Sequence, residues 1–133
     1  EATKRKLRVF EMGCLRKIKS ITRRDRVRNE DVRAELNIGL DVVQKIQRKR
    51  LRYFGHVSRM EPTRYPNLAL YGRVHGTRKR GRPKKRWFNN IEDDCNDMGL
   101  DMVEATRLAA SDRDGWRNSI LKMPKRGLPS PWQ

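Results

Sequence analysis

The chain has 133 residues, 35% of them apolar and 37% charged, and its thirty-three Lys and Arg against sixteen Asp and Glu give a formal net charge of +17. That length holds one domain or two small helical subdomains and excludes a large multilayered enzyme. A balance so far to the basic side is the electrostatic footprint of a polyanion binder.

Taken in chain order, the first expected helix covers roughly residues 2–20, where Leu7, Phe10, Cys14, Leu15, Ile18 and Ile21 recur at three- and four-residue steps. Val9 and Met12 fall off that stripe, either as a second packing patch or as two exposed apolar side chains. Asn29 reads as the N-cap of a short helix ending near Leu36, with Gly39 as its stop. From Asp41 to about Arg59 a long helix follows, whose Leu40, Val43, Ile46, Leu51, Phe54 and Val57 share one broad stripe. Lys45, Arg48, Lys49, Arg52 and Arg59 fall on the opposite side as a basic ridge suited to phosphates, and Arg50 at the stripe's edge is expected to snorkel outward.

Pro62, Pro66 and the glycines at 72–81 then mark a basic linker. Beyond it, Pro83 is expected in the first turn of a helix on which Trp87, Phe88, Ile91, Cys95 and Met98 share a face, with Gly99 as its stop. Asp101 with Glu104, and Ser111 with Asp114, suggest the starts of two more short helices, and Trp116, Ile120 and Met123 are expected to close a core against Trp87 and Ile91. The expected architecture is all-α: an N-terminal basic three-helix part over 1–60, a basic linker over 61–82, a C-terminal helical subdomain over 83–123 and a disordered tail over 124–133.

Charge is distributed unevenly along this plan. Residues 1–60 hold eighteen basic and seven acidic groups, 61–90 nine and one, and 91–133 six and eight, so a polyanion belongs on the first two thirds. The densest signal is the run Arg78, Lys79, Arg80, Gly81, Arg82, Pro83, Lys84, Lys85, Arg86, with seven basic residues in nine. Its Arg-Gly-Arg-Pro core resembles an AT-hook, the run as a whole would serve as a nuclear localisation signal, and the simplest reading is a phosphate clamp without base preference. Because Pro83 is expected to open an anchored helix, the clamp is favoured over minor-groove insertion.

Other chemistries find little support in the spacing. Cys14, His56, His75 and Cys95 are zinc-type ligands, but no two lie within fifteen residues, so no metal site and no cofactor are expected. Glu92, Asp93, Asp94 and Asp97 point to several sides of one helix and are expected to form salt bridges to the basic linker, with no catalytic role. The cysteines read as buried reduced thiols. No apolar run approaches the ~18 residues of a membrane span and no signal-peptide core follows Glu1, so neither a membrane nor a small-molecule substrate is an expected partner, and the expected compartment is nuclear and/or cytoplasmic. The chain opens without an initiator Met, as expected of a piece of a longer protein or of a chain that loses its Met in maturation.

Several segments together carry a family resemblance: Leu7-Arg8-Val9-Phe10-Glu11-Met12-Gly13-Cys14-Leu15-Arg16-Lys17-Ile18, Asp25-Arg26-Val27-Arg28-Asn29-Glu30-Asp31-Val32, and Arg48-Lys49-Arg50-Leu51-Arg52-Tyr53-Phe54-Gly55-His56-Val57. Arg80-Gly81-Arg82-Pro83-Lys84-Lys85-Arg86-Trp87, Ile91-Glu92-Asp93-Asp94 and Asp112-Arg113-Asp114-Gly115-Trp116-Arg117 continue it in order. The chain resembles the region after the polymerase thumb in non-LTR, LINE-type (RTE-like) retrotransposon endonuclease–reverse transcriptases. It departs from that pattern at Lys19-Ser20-Ile21-Thr22-Arg23, where Leu-Gly-Ile and then Trp would be expected. The resemblance implies a non-catalytic segment that holds template RNA and/or target DNA beside the upstream thumb of the same polyprotein. The parent would be an RNA-directed DNA polymerase; this chain has neither a Tyr-x-Asp-Asp motif nor an endonuclease signature. The alternative is a free-standing helical DNA-binding protein with an AT-hook-like motif.

Overall fold

The computed structural model describes residues 2–72, 76, 80–81 and 85–123, and these are all-helical. The expected tail at 124–133 and the expected helix-opening Pro83 lie outside the described residues. Seven α-helices occur in order: α1 Ala2–Ile18, α2 Asn29–Glu35, α3 Val42–Ser58, α4 Tyr65–Tyr71, α5 Trp87–Asp97, α6 Met102–Ser111 and α7 Arg113–Leu121. The chain divides into two compact units, one built by residues 2–47 and the other by Arg48–Met123. The division falls inside α3, so Leu51, Phe54 and Val57 belong to the second unit rather than to an N-terminal part reaching residue 60.

In the first unit Met12, Leu15 and Val32 are buried, with Ile21, Val27, Leu36 and Ile38 packed around them. Met12 therefore lies in the core, whereas Phe10 (73% exposed) and Ile18 (69%), expected there, face solvent with Cys14. Only one narrow sector of α1 meets the short α2, and that sector is centred on Met12 and Leu15, to one side of the stripe that spacing alone selects. After α1 a 3-10 turn, Arg23–Asp25, is capped reciprocally: the Thr22 hydroxyl accepts from Arg24 N–H while Asp25 accepts from the Thr22 backbone N–H at 2.6 Å. These Thr22 bonds hold the Asp25 carboxyl below its ordinary range.

Arg28 rather than Asn29 stands at the N-cap of α2, and Asn37 rather than Gly39 takes the left-handed conformation after it, with φ 53°. A buried reciprocal cap opens α3, in which Asp41 Oδ1 accepts from Gln44 N–H and Gln44 Oε1 from Asp41 N–H. Arg8 Nε donates to Asp41 Oδ2 at 2.9 Å, and Arg33 to Glu11 at 2.6 Å, tying α1 to its neighbours within the unit.

The second unit has the larger core: Leu51 and Phe54 of α3, Ile91 and Cys95 of α5, Ala105 and Ala109 of α6, Trp116 and Ile120 of α7, and Met123. Trp116 meets Phe54 edge-on at 5.8 Å, and its indole N–H donates to the Leu51 carbonyl at 3.0 Å. Gly55 permits this, because a Cβ there would lie 2.4 Å from the Trp116 ring. Burial raises the Cys95 thiol to about 12, with the neighbouring Asp94 charge adding to the shift. Cys95 fits the expected buried thiol; Cys14 does not.

Three features depart from the sequence expectations. The span expected as a plain linker contains α4, whose Pro66 lies in the first helical turn and whose buried Asn67 donates to the Val57 and Met60 carbonyls at the end of α3. Arg50 does not snorkel to water: its Nε donates at 2.6 Å to Asp94, which is 1% exposed. Asp94 thus faces the core side of α5, and Asp93 pairs with Lys85, which follows the 61–82 linker expected to supply the partners. Finally, α7 is capped by Asp112, which accepts from Gly115 N–H at 2.8 Å, in place of Ser111, while Asp101 caps α6.

Candidate nucleic-acid interface

The basic ridge expected on α3 resolves into two kinds of arginine and lysine. Lys49 and Arg52, in the second unit, are exposed, and so is Lys45 in the first. Arg48 is half-buried and its Nη2 donates to the Leu121 carbonyl at 2.9 Å; Arg59 Nη1 donates to the Ala109 carbonyl at 2.6 Å. Both guanidinium groups thus bind carbonyls in the last turns of α7 and α6, where the helix dipole favours a cation. Both hold helices, Arg48 half-buried and Arg59 still exposed, while no side-chain bond to a carbonyl is seen for the exposed Lys45, Lys49 and Arg52 among the described residues.

Beside Lys49 and Arg52 lies an aromatic pair that the helical pattern did not single out. Tyr53 is exposed on α3, and Trp87, at the first position of α5, is 38% exposed and meets it edge-on at 5.8 Å. Trp87 was expected in the core; the core position is taken by Ile91, one helical turn further on. The signal for Tyr53 was its place off the apolar stripe, on the same side of α3 as the lysines. His56 lies one turn further along α3, its ring 6.4 Å from that of Tyr53. Lys49, Arg52, Tyr53, His56 and Trp87 therefore form one exposed surface of cations and rings within the second unit.

Of the run of basic residues, Lys85 and Arg86 immediately precede α5 in the chain. Arg80, Lys85 and Arg86 are exposed, and the Arg86 backbone N–H donates to the Asn89 side chain at 3.0 Å. Arg78, Lys79, Arg82 and Lys84 lie outside the described residues, and with Pro83 so does the second half of the Arg-Gly-Arg-Pro core. Among the described residues no three His, Cys, Asp or Glu side chains come together. No helix of the described chain is long and apolar enough to cross a membrane.

A separate cleft of about 730 Å3 opens in the first unit, lined by α1, the 3-10 turn and α2, and it was not anticipated from the sequence. No family model matches the chain, and no curated protein or solved structure does so either.

Proposed function

We propose that the chain is a non-catalytic nucleic-acid-binding segment that holds RNA and/or DNA through its phosphates, and that it belongs to the region after the polymerase thumb of a LINE-type reverse transcriptase polyprotein. The observation that carries the binding reading is the exposed surface of Lys49 and Arg52 beside the Tyr53–Trp87 pair. Cations neutralise phosphates and release their counterions, and exposed rings offer faces on which bases stack without regard to sequence. The net charge of +17 supplies the long-range attraction. The retroelement origin is supported by the motif order from Leu7 to Arg117.

Fluorescence anisotropy against duplex DNA and structured RNA across a salt series tests the binding reading. Affinity is expected to fall steeply with salt, and K45E/K49E/R52E to flatten the logarithmic slope by about 2–3 units at ~0.9 per lost duplex phosphate contact. Salt-insensitive binding, or an unchanged slope in the variant, would refute it. The origin is tested by reading the genomic frame upstream of Glu1, where a Tyr-x-Asp-Asp polymerase motif is expected.

A further inference from the structure

The cleft of the first unit is lined by six arginines, Arg5, Arg8, Arg16, Arg23, Arg26 and Arg33, against two acids, Glu30 and Asp41. Three of the six are committed to structure. Arg8 is bonded to Asp41 and Arg33 to Glu11, while Arg16 donates to the Thr22 and Val27 carbonyls and to Asn29 Oδ1. Arg5, Arg23 and Arg26 form no ion pair among the described residues and are exposed. With six arginines against two acids, the lining carries an excess of positive charge.

The segment carrying two of them is fixed beforehand. Arg16 grips it at both ends, the Thr22–Asp25 cap closes its first turn, and Arg26 is held in the left-handed region at φ 51°, an unusual conformation for a residue with a side chain. A ligand therefore meets guanidinium groups whose backbone costs little to order. The lining also includes apolar side chains, the buried Met12, the half-buried Val27 and the exposed Val9. Its volume falls in the ~300–1,000 Å3 range of sites that enclose a small organic ligand, well beyond what a lone phosphate fills.

Guanidinium groups and apolar side chains in one lining match a nucleotide: phosphate on Arg23 and Arg26, base against Met12 and Val27 or flat on a guanidinium plane. A base paired and stacked in a duplex cannot enter a concave site, whereas an unpaired one can. We infer that this cleft holds one unpaired nucleotide of a single-stranded nucleic acid, a second contact distinct from the cation–ring surface on α3 and α5. The inference rests on the nucleic-acid-binding reading above and specifies which strand state the first unit selects.

The test uses the full chain, an eight-nucleotide single-stranded RNA and a blunt duplex of matched phosphate number, read by anisotropy at fixed salt. R23A/R26A is expected to weaken the single strand at least tenfold and the duplex less than threefold. In NMR, titration of the single strand is expected to move the Met12 methyl resonance upfield through the ring current of the base, and an oligomer of abasic sugar-phosphate is expected to leave it in place. Both arginines are exposed and form no ion pair among the described residues, so the variant is expected to keep the fold, which an unchanged methyl spectrum without ligand checks. Equal loss for the two ligands, or a Met12 methyl indifferent to the base, overturns the cleft while leaving the general reading intact. A wild-type chain that binds neither ligand overturns that reading itself.

Discussion

Both units set three arginines to structural work, but they leave the remaining ones in different settings. In the second, Arg50 neutralises a buried Asp94 and Arg48 and Arg59 close the carbonyl ends of α7 and α6, while Arg52 stays exposed beside the Tyr53–Trp87 pair. In the first, Arg8, Arg16 and Arg33 take up similar duties, while Arg5, Arg23 and Arg26, without an ion pair among the described residues, line a cleft. The difference follows from core size. Ten buried apolar residues give the second unit enough surface burial to fix its guanidinium groups at well-defined carbonyls, while the four of the first depend on polar clamps around a thin centre. A small unit that spends its polar groups on holding itself together has few acids left to neutralise the rest.

The largest way to break this comparison is at Trp116. Trp116→Ala is expected to cost about 3–5 kcal/mol and to unfold the second unit, whereas Trp87→Ala, at a 38% exposed site, should cost about 1 kcal/mol or less and act instead on nucleic-acid affinity. Denaturant unfolding of both variants, followed by circular dichroism, checks the pair. Asp94→Ala is expected to follow at about 3 kcal/mol, the lower end for a broken buried pair because Arg50 keeps about a fifth of its side chain in water. The double variant Asp94→Ala with Arg50→Met should recover most of that loss in the same assay. Leu15→Ala is expected at about 2 kcal/mol, since the smaller core around it collapses more readily, and it should broaden amide signals of residues 2–47 by NMR.

The smallest effect is chemical. At pH 8 iodoacetamide is expected to label exposed Cys14 within minutes and Cys95 only after denaturation, as mass spectrometry of the peptides would show. Because the Cys95 thiol is raised from 9.0 to about 12 in the fold, its contribution to stability is complete below about pH 9 and is lost as pH rises toward 12. A C95A variant should show a flatter stability profile over that window.

The all-helical class was legible, because three- and four-residue spacing is a property of the chain itself. So were the stop at Gly99, which has φ 74°, and most of the α3 stripe, with Val43, Leu51, Phe54 and Val57 buried, Leu40 half-buried and Ile46 41% exposed. What spacing could not settle is which sector of a helix finds a partner, hence Met12 in the core and Phe10 in water. Trp87 was misplaced for a related reason, since a residue in the first turn of a helix has no preceding turn to pack it down. Helix α4 was hidden because Pro66 and Pro62 read as breaks, although a proline is well accommodated in a first turn. Of the ridge on α3, composition told which residues carry charge but not that Arg48 and Arg59 would be claimed by distant carbonyls. The Thr22–Asp25 cap had a readable signature, and with it the turn that presents Arg23 and Arg26 could have been found.

The contrast between the two described tryptophans also gives the molecule its own optics. The indole of Trp116, enclosed and bonded to the Leu51 carbonyl, should emit at the blue end of the tryptophan range, and that of Trp87, open to solvent beside Tyr53, at the red end. With Trp132 replaced by Phe, a single emission spectrum would carry two separable reports. The blue component would follow the integrity of the second unit, and the red component would dim as bases stack on the exposed ring. Folding and ligand capture could then be followed in one cuvette without attaching a dye.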